Sequence, residues 1–158
     1  MMSLSVQLKT HSIAYSIILI LLLNGVGHTD SKEASADQPI STIILIRHAE
    51  RDNFFNINSQ GRKRAKALVN AVKDFEITAI YSPDLGRNLD SVRPLADHLK
   101  IDITLTPRIT KSTVDKILDE IAAQHAGEVV LLVGNGSGNL RSLHQRLGGQ
   151  GDGPDQYG

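Results

Sequence analysis

Four short apolar runs recur along the chain, each separated from the next by enough residues for one helix. They are TIILI (42–46), ITAIY (77–81), IDITL (101–105) and EVVLLV (128–133). They are strand-length and rich in β-branched residues, and the continuously apolar ones suit strands covered on both faces. The intervening stretches carry helical periodicity. A helix from Asn58 or Ser59 to about Phe75 places Ala65, Leu68, Val69 and Val72 on one stripe. A second, over 85–99, has Leu85, Leu89, Val92 and Leu99 on one side, with Pro94 expected to kink or break it. Ser112 with Asp115 reads as a capping pair for a third helix, whose Val114, Ile117, Leu118 and Ile121 turn inward. A short last helix over 140–147 stops at Gly148 and Gly149.

Strands alternating with helices at this spacing specify βαβ units. The fold class is therefore α/β, a three-layer α/β/α sandwich around a mostly parallel central sheet. The 158 residues suffice for one such domain, over 42–158. The 17 basic residues balance 17 acidic ones, so nothing electrostatic favours nucleic acid as a partner. The basic group Arg62, Lys63, Arg64 and Lys66 reads as a solvated helix face. Without cysteine the chain has no disulfide, thiolate metal site or thiol nucleophile. The histidines are scattered and no carboxylate cluster has ligand spacing, so no metal and no cofactor is expected.

The N-terminus speaks to compartment. Lys9 and His11 precede an apolar stretch over 13–23 and the small-residue sequence Gly25-Val26-Gly27, with no acidic residue before Asp30. A basic start, a short apolar core and a small-x-small end read as a secretory leader over 1–27. The apolar core falls short of the ~20 residues a spanning helix needs. The expectation is export, to the periplasm or outside the cell, with membrane contact only through an uncleaved leader. Residues 28–41, polar and holding Pro39, read as a flexible linker.

In parallel α/β sheets, function gathers at the carboxyl ends of the strands. The first strand ends in Arg47-His48. Arg47 can grip two phosphate oxygens, and His48 can be a nucleophile, a base or a metal ligand, or a surface histidine. The second leads through Ser82-Pro83 to Arg87 in the first turn of a helix, facing back across the sheet edge or out to solvent. The fourth ends in Gly134-Asn135-Gly136-Ser137-Gly138. Dinucleotide binding would need the third glycine at position 139, which is Asn139, and a phosphate loop would need a Lys-Ser or Lys-Thr pair. An anion-binding turn remains open.

In combination these segments are more specific. LIRHAE, SQGRKRAKAL with Gly61 at the helix start, IYSPDLGRNLDSVRPLADHL and VVLLVGNGSGNLRSLHQRLGG fall in one order on one sheet edge. The chain resembles the histidine phosphatase superfamily, also called phosphoglycerate mutase-like, in its short exported branch, over about 42–149. That resemblance implies that His48 attacks phosphorus and becomes phosphohistidine, while Arg47 and Arg87 hold the phosphoryl group. It also shows departures. Family members carry a second His after the fourth strand, where this chain has Asn135, a neutral donor in the phosphate-binding set. Asn88 and Asp90 replace a Thr and a Gln, and Asp90 would repel phosphate if turned inward. Glu50, Asp52 and Asp115 are candidate general acids, while His125 and His144 read as surface histidines. Relatives continue into another strand where this sequence ends in GPDQYG, and a shortened frame would leave a bare sheet edge. The implied function is weak hydrolysis of phosphomonoesters. The alternative is an inactive relative that binds a phosphorylated small molecule or phosphoprotein.

Overall fold

The computed structural model describes residues 4–8, 39–53, 55–135 and 139–151. The leader's apolar core, its cleavage point, nearly all of the linker, the glycine turn 136–138 and the C-terminal 152–158 lie outside them.

Among the described residues, five strands form one sheet. They are β1 (Leu4–Leu8), β2 (Ser41–Arg47), β3 (Ile77–Pro83), β4 (Ile103–Thr106) and β5 (Val129–Gly134), in the order β1-β2-β5-β3-β4. The helices are α1 (Ser59–Ala71), α2 (Gly86–Leu99), α3 (Val114–Gln124) and α4 (Asn139–Arg146). β2, β5, β3 and β4 run parallel, and β1 adds antiparallel to the outer edge of β2. The four parallel strands are the four apolar runs. β1 is additional, because its residues read as the start of a leader. Cleavage after Gly27 would remove it and bare the edge of β2.

The strand alternation divides the core into two layers. Ile44 and Ile46 of β2, with Leu131 and Val133 of β5, pack with Leu68 of α1 and Val92 and Leu95 of α2. Their neighbours Ile43, Leu45, Val130 and Leu132 face Ile117 and Ile121 of α3 and Leu140 and Leu143 of α4. This is the α/β/α sandwich, with period-two side-chain placement deciding which helix each residue meets. A register irregularity between Ile77 and Ala79 lets Ile77 and Ile80 share a layer despite their odd spacing.

Local chemistry explains the helix ends. Asn58 caps α1, its Oδ1 accepting from Gly61 N at 2.8 Å. Gly61 is required there, because a Cβ would strike the Glu50 carbonyl oxygen. α1 ends at Ala71 rather than Phe75, since Phe75 N turns back to Val72 O to let the chain enter β3. α2 runs unbroken through Pro94, which sits half-exposed where water can serve the carbonyl left without a donor. It stops at Lys100, in the left-handed region at φ 58°. The expected Ser112–Asp115 cap is absent. Thr113 is the N-cap, and its hydroxyl donates to Arg108 O and accepts from Thr110 N, bracing the preceding loop instead.

Candidate functional site

β2 and β5 are adjacent, yet the chain leaves them toward opposite faces. After β2 it passes to α1 in one helical layer, and after β5 to α4 in the other. Connections that part in this way open a crevice at the carboxyl ends of the two strands. Arg47 pairs in register with Gly134, and His48 N donates to Gly134 O at 3.2 Å. The strand pairing therefore brings Arg47, His48 and Asn135 together.

His48 is buried, 7% exposed, and its Nδ1 lies 2.8 Å from the Ala49 carbonyl oxygen. A carbonyl can only accept, so Nδ1 carries the proton and Nε2 of the neutral ring keeps its lone pair. Burial pushes the imidazole below its ordinary 6.5. The Ala49 hydrogen bond opposes this, and the nearby Arg87, Arg47 and Arg51 guanidiniums lower it further. The result is a neutral imidazole among cations, the form in which histidine attacks an electrophile.

Arg87 enters from the first turn of α2 and is buried, 5% exposed. Its own pKa is lowered, first by burial and then by Arg51 and Arg108. Ser91, one turn further along α2, links this arginine to the histidine loop. Its Oγ accepts from Ala49 N at 2.7 Å and donates to Arg87 O at 2.6 Å. The residue whose carbonyl orients His48 is thus tied to the helix turn that carries Arg87.

Asn135, half-buried, follows β5. Its N–H donates to Asn139 Oδ1 at 2.9 Å, and Asn139 Nδ2 donates to Ile109 O at 3.3 Å, so Asn139 clamps this corner to the loop after β4. The Asn135 side-chain oxygen is buried without a hydrogen-bond partner.

Several residues flagged by sequence lie elsewhere. Glu50 pairs with Arg64 of α1, and Asp115 with Arg146 of α4 at the surface. Asp52 is exposed. Asp90 is turned outward beside Arg93, which removes the expected repulsion of phosphate. His125 is not a surface histidine. It stands beyond the amino ends of the strands, where its Nε2 meets Tyr81 Oη at 3.0 Å and its Nδ1 meets Glu128 Oε2 at 2.8 Å. His144 is buried against Gly149 rather than exposed. Among the described residues, no group of three or more His, Asp or Glu side chains converges in a way that could hold a metal ion.

Sequence reading passed over Arg51, Arg108, Ser91 and Asn139 as site residues. A signal for part of this set was present. The buried face of α2 begins with Arg87, Asn88 and Ser91 before it becomes apolar at Val92 and Leu95. Polar residues at core positions of an otherwise amphipathic helix mark a site.

A family model of the histidine phosphatase superfamily (branch 1) matches residues 43–111. No match to a curated protein is found. The crystal structure of SixA from Agrobacterium tumefaciens is similar at 22% identity and TM-score 0.53, over 67% of this chain and 76% of that one. YhfR of Bacillus stearothermophilus is similar at 18% identity and TM-score 0.60, over 74% and 83% of the two chains. A mycobacterial glucosyl-3-phosphoglycerate phosphatase, in complex with inorganic phosphate, is similar at 16% identity and TM-score 0.55, over 66% and 77%. The family match covers β2 through the loop after β4 and includes Arg47, His48 and Arg87, and the chain shares its fold with these structures.

Proposed function

We propose that this protein is an exported phosphatase that hydrolyses phosphomonoesters weakly through a phosphohistidine at His48. The observation that carries the reading is the state of His48. It is a buried, neutral imidazole whose proton is held on Nδ1, which leaves Nε2 its lone pair, and the Arg87 and Arg47 charges act on the ring. In the first step the Nε2 lone pair forms a bond to phosphorus as the ester P–O bond breaks. The leaving oxygen departs with that electron pair and takes up a proton. In the second step water attacks phosphorus, the N–P bond breaks, and its electron pair returns to Nε2, releasing orthophosphate. Arg47 and Arg87 offset charge on the peripheral oxygens in both steps. Asn135 can donate a neutral hydrogen bond but carries no charge, and losing one aligned charge-stabilising donor costs on the order of 100- to 1000-fold in rate. Export rests on the leader-like composition of residues 1–27.

A second reading is favoured by one observation, the partnerless Asn135 side-chain oxygen in the corner where relatives carry histidine. In this reading the domain binds a phosphorylated ligand without turning it over. Hydrolysis of an aryl phosphate by the protein and by His48→Ala, with orthophosphate protection against heat measured alongside, separates the two. Turnover lost in the variant supports the enzyme. Protection by phosphate with equal background rates supports the binding protein.

A further inference from the structure

We propose that Asn139 is a positioning residue of the phosphoryl site, which sets where the Asn135 side chain stands relative to His48. The inference rests on the phosphoryl-binding reading of the site and gives Asn139 a role through Asn135 rather than on the ligand.

The peptide unit between Gly134 and Asn135 is gripped at both ends. Its carbonyl oxygen, on Gly134, accepts from His48 N at 3.2 Å, and its N–H, on Asn135, donates to Asn139 Oδ1 at 2.9 Å. The unit is planar, so neither end turns without the other. The backbone of His48 therefore holds one edge of the plane from which Asn135 departs, and Asn139 holds the opposite edge. Asn139 is itself anchored. It is 8% exposed, and its Nδ2 donates at 3.3 Å to the carbonyl of Ile109, a buried residue of the core that also contains Leu140 and Leu143 of α4. β5 and α4 meet closely at this point: a Cβ at Gly134 would strike the Leu140 side chain and come within 3.7 Å of Asn139 Oδ1.

The chemistry of this junction selects asparagine. A backbone N–H only donates and a carbonyl only accepts, so the two partners fix which end of the Asn139 amide is oxygen. Alanine or leucine would strand the Asn135 N–H, and aspartate would set a carboxylate oxygen against the Ile109 carbonyl. The Asn135 side chain depends on this hold. Its Oδ1 is buried without a hydrogen-bond partner, so the direction of its amide follows the backbone that Asn139 and His48 fix between them.

Two measurements test the role. In the full chain, hydrogen exchange followed by NMR should show the Asn135 amide protected by about tenfold or more over an open loop amide, and exchange at the open rate overturns the proposal. This measurement uses no variant and stands even if Asn139→Ala does not fold. Calorimetry of orthophosphate binding then compares the full chain with Asn139→Ala, Asn135→Ala and the double variant. Asn135→Ala keeps the backbone N–H, so it preserves the clamp and removes only the amide that the clamp aims. The expected result is that Asn139→Ala weakens orthophosphate binding about 3- to 10-fold in the unchanged background and less than about twofold in the Asn135→Ala background, while it lowers thermal stability equally in both. Equal weakening in the two backgrounds makes Asn139 merely structural and overturns the proposal, as does undiminished affinity in a folded Asn139→Ala. Unchanged affinity in Asn135→Ala also overturns it and leaves His48, Arg47 and Arg87 standing as the phosphoryl site. Failure of the wild-type protein to bind orthophosphate overturns the phosphoryl-binding reading itself, and the positioning role with it.

Discussion

Replacing Ser91 by alanine should loosen the site and destabilise the fold at once. The hydroxyl is 3% exposed and makes two short hydrogen bonds, accepting from Ala49 N and donating to Arg87 O. The second bond lies within α2, and its net worth is about 0.5–1.5 kcal/mol at most. The first matters more. Ala49 is 3% exposed, so its N–H would be stranded in the interior, at about 1–3 kcal/mol. One oxygen atom is removed, which leaves little cavity to add. The expected loss is therefore about 2–3 kcal/mol, which at a urea m-value of about 1–3 kcal/mol/M moves the unfolding midpoint by roughly 0.7–3 M. Equilibrium urea unfolding of the full chain measures it. Ser91→Thr keeps the hydroxyl and should recover most of the stability. Because the Ala49 carbonyl orients His48, kcat on an aryl phosphate should fall in Ser91→Ala more than KM rises, and Ser91→Thr should restore it. A change below about 0.5 kcal/mol, with kcat intact, would refute the reasoning.

Asn135→His should raise the phosphatase rate by about 10- to 100-fold by supplying a charged donor, and an unchanged rate in a folded variant would show that this corner does not limit turnover. Asn88 is fully buried with neither amide atom hydrogen-bonded, so the near-isosteric Asn88→Leu should stabilise the protein by about 1 kcal/mol in thermal unfolding. A loss of stability there would mean that the amide has a partner, such as a buried water. The depressed His48 pKa has a definite sign. Between the ordinary imidazole value of 6.5 and the lower folded value, the unfolded chain binds a proton that the folded chain does not, so stability falls as pH is lowered through that window. kcat/KM should accordingly hold down to pH values below 6.5 before its acid limb begins. An NMR titration of the His48 ring giving an ordinary value would contradict both statements.

What was legible in the sequence was whatever depends on neighbours along the chain. Ile43 to Ile46 and Val130 to Val133 announce buried strands, because covering both faces of a strand demands an uninterrupted apolar run. The period of α3 announces its inward face at Val114, Ile117, Leu118 and Ile121. From these the α/β sandwich follows, and with it the rule that strand ends carry chemistry, which singled out Arg47, His48 and Arg87. Less legible were features in which local signals mislead. Ser112 and Asp115 have capping spacing, yet the cap is Thr113, which the 107–113 loop holds through Thr110 and Arg108. LSVQL alternates as a strand should, yet it stands where a leader begins, and the two signals compete.

The sequence by itself determined the fold class and the strand that presents His48, because periodicity and strand-end position are properties of the chain. Only the tertiary structure decided the rest. It alone pairs Arg47 with Gly134, joins Ser91 to Ala49 across 42 residues, clamps Asn135 to the Arg108 loop through Asn139, and turns Glu50, Asp90 and Asp115 toward other partners. The physical reason is that hydrogen bonds and charges act over a few ångströms of space. The spatial neighbours of a loop are set by strand order and register, and β5, the last strand among the described residues, inserts between β2 and β3.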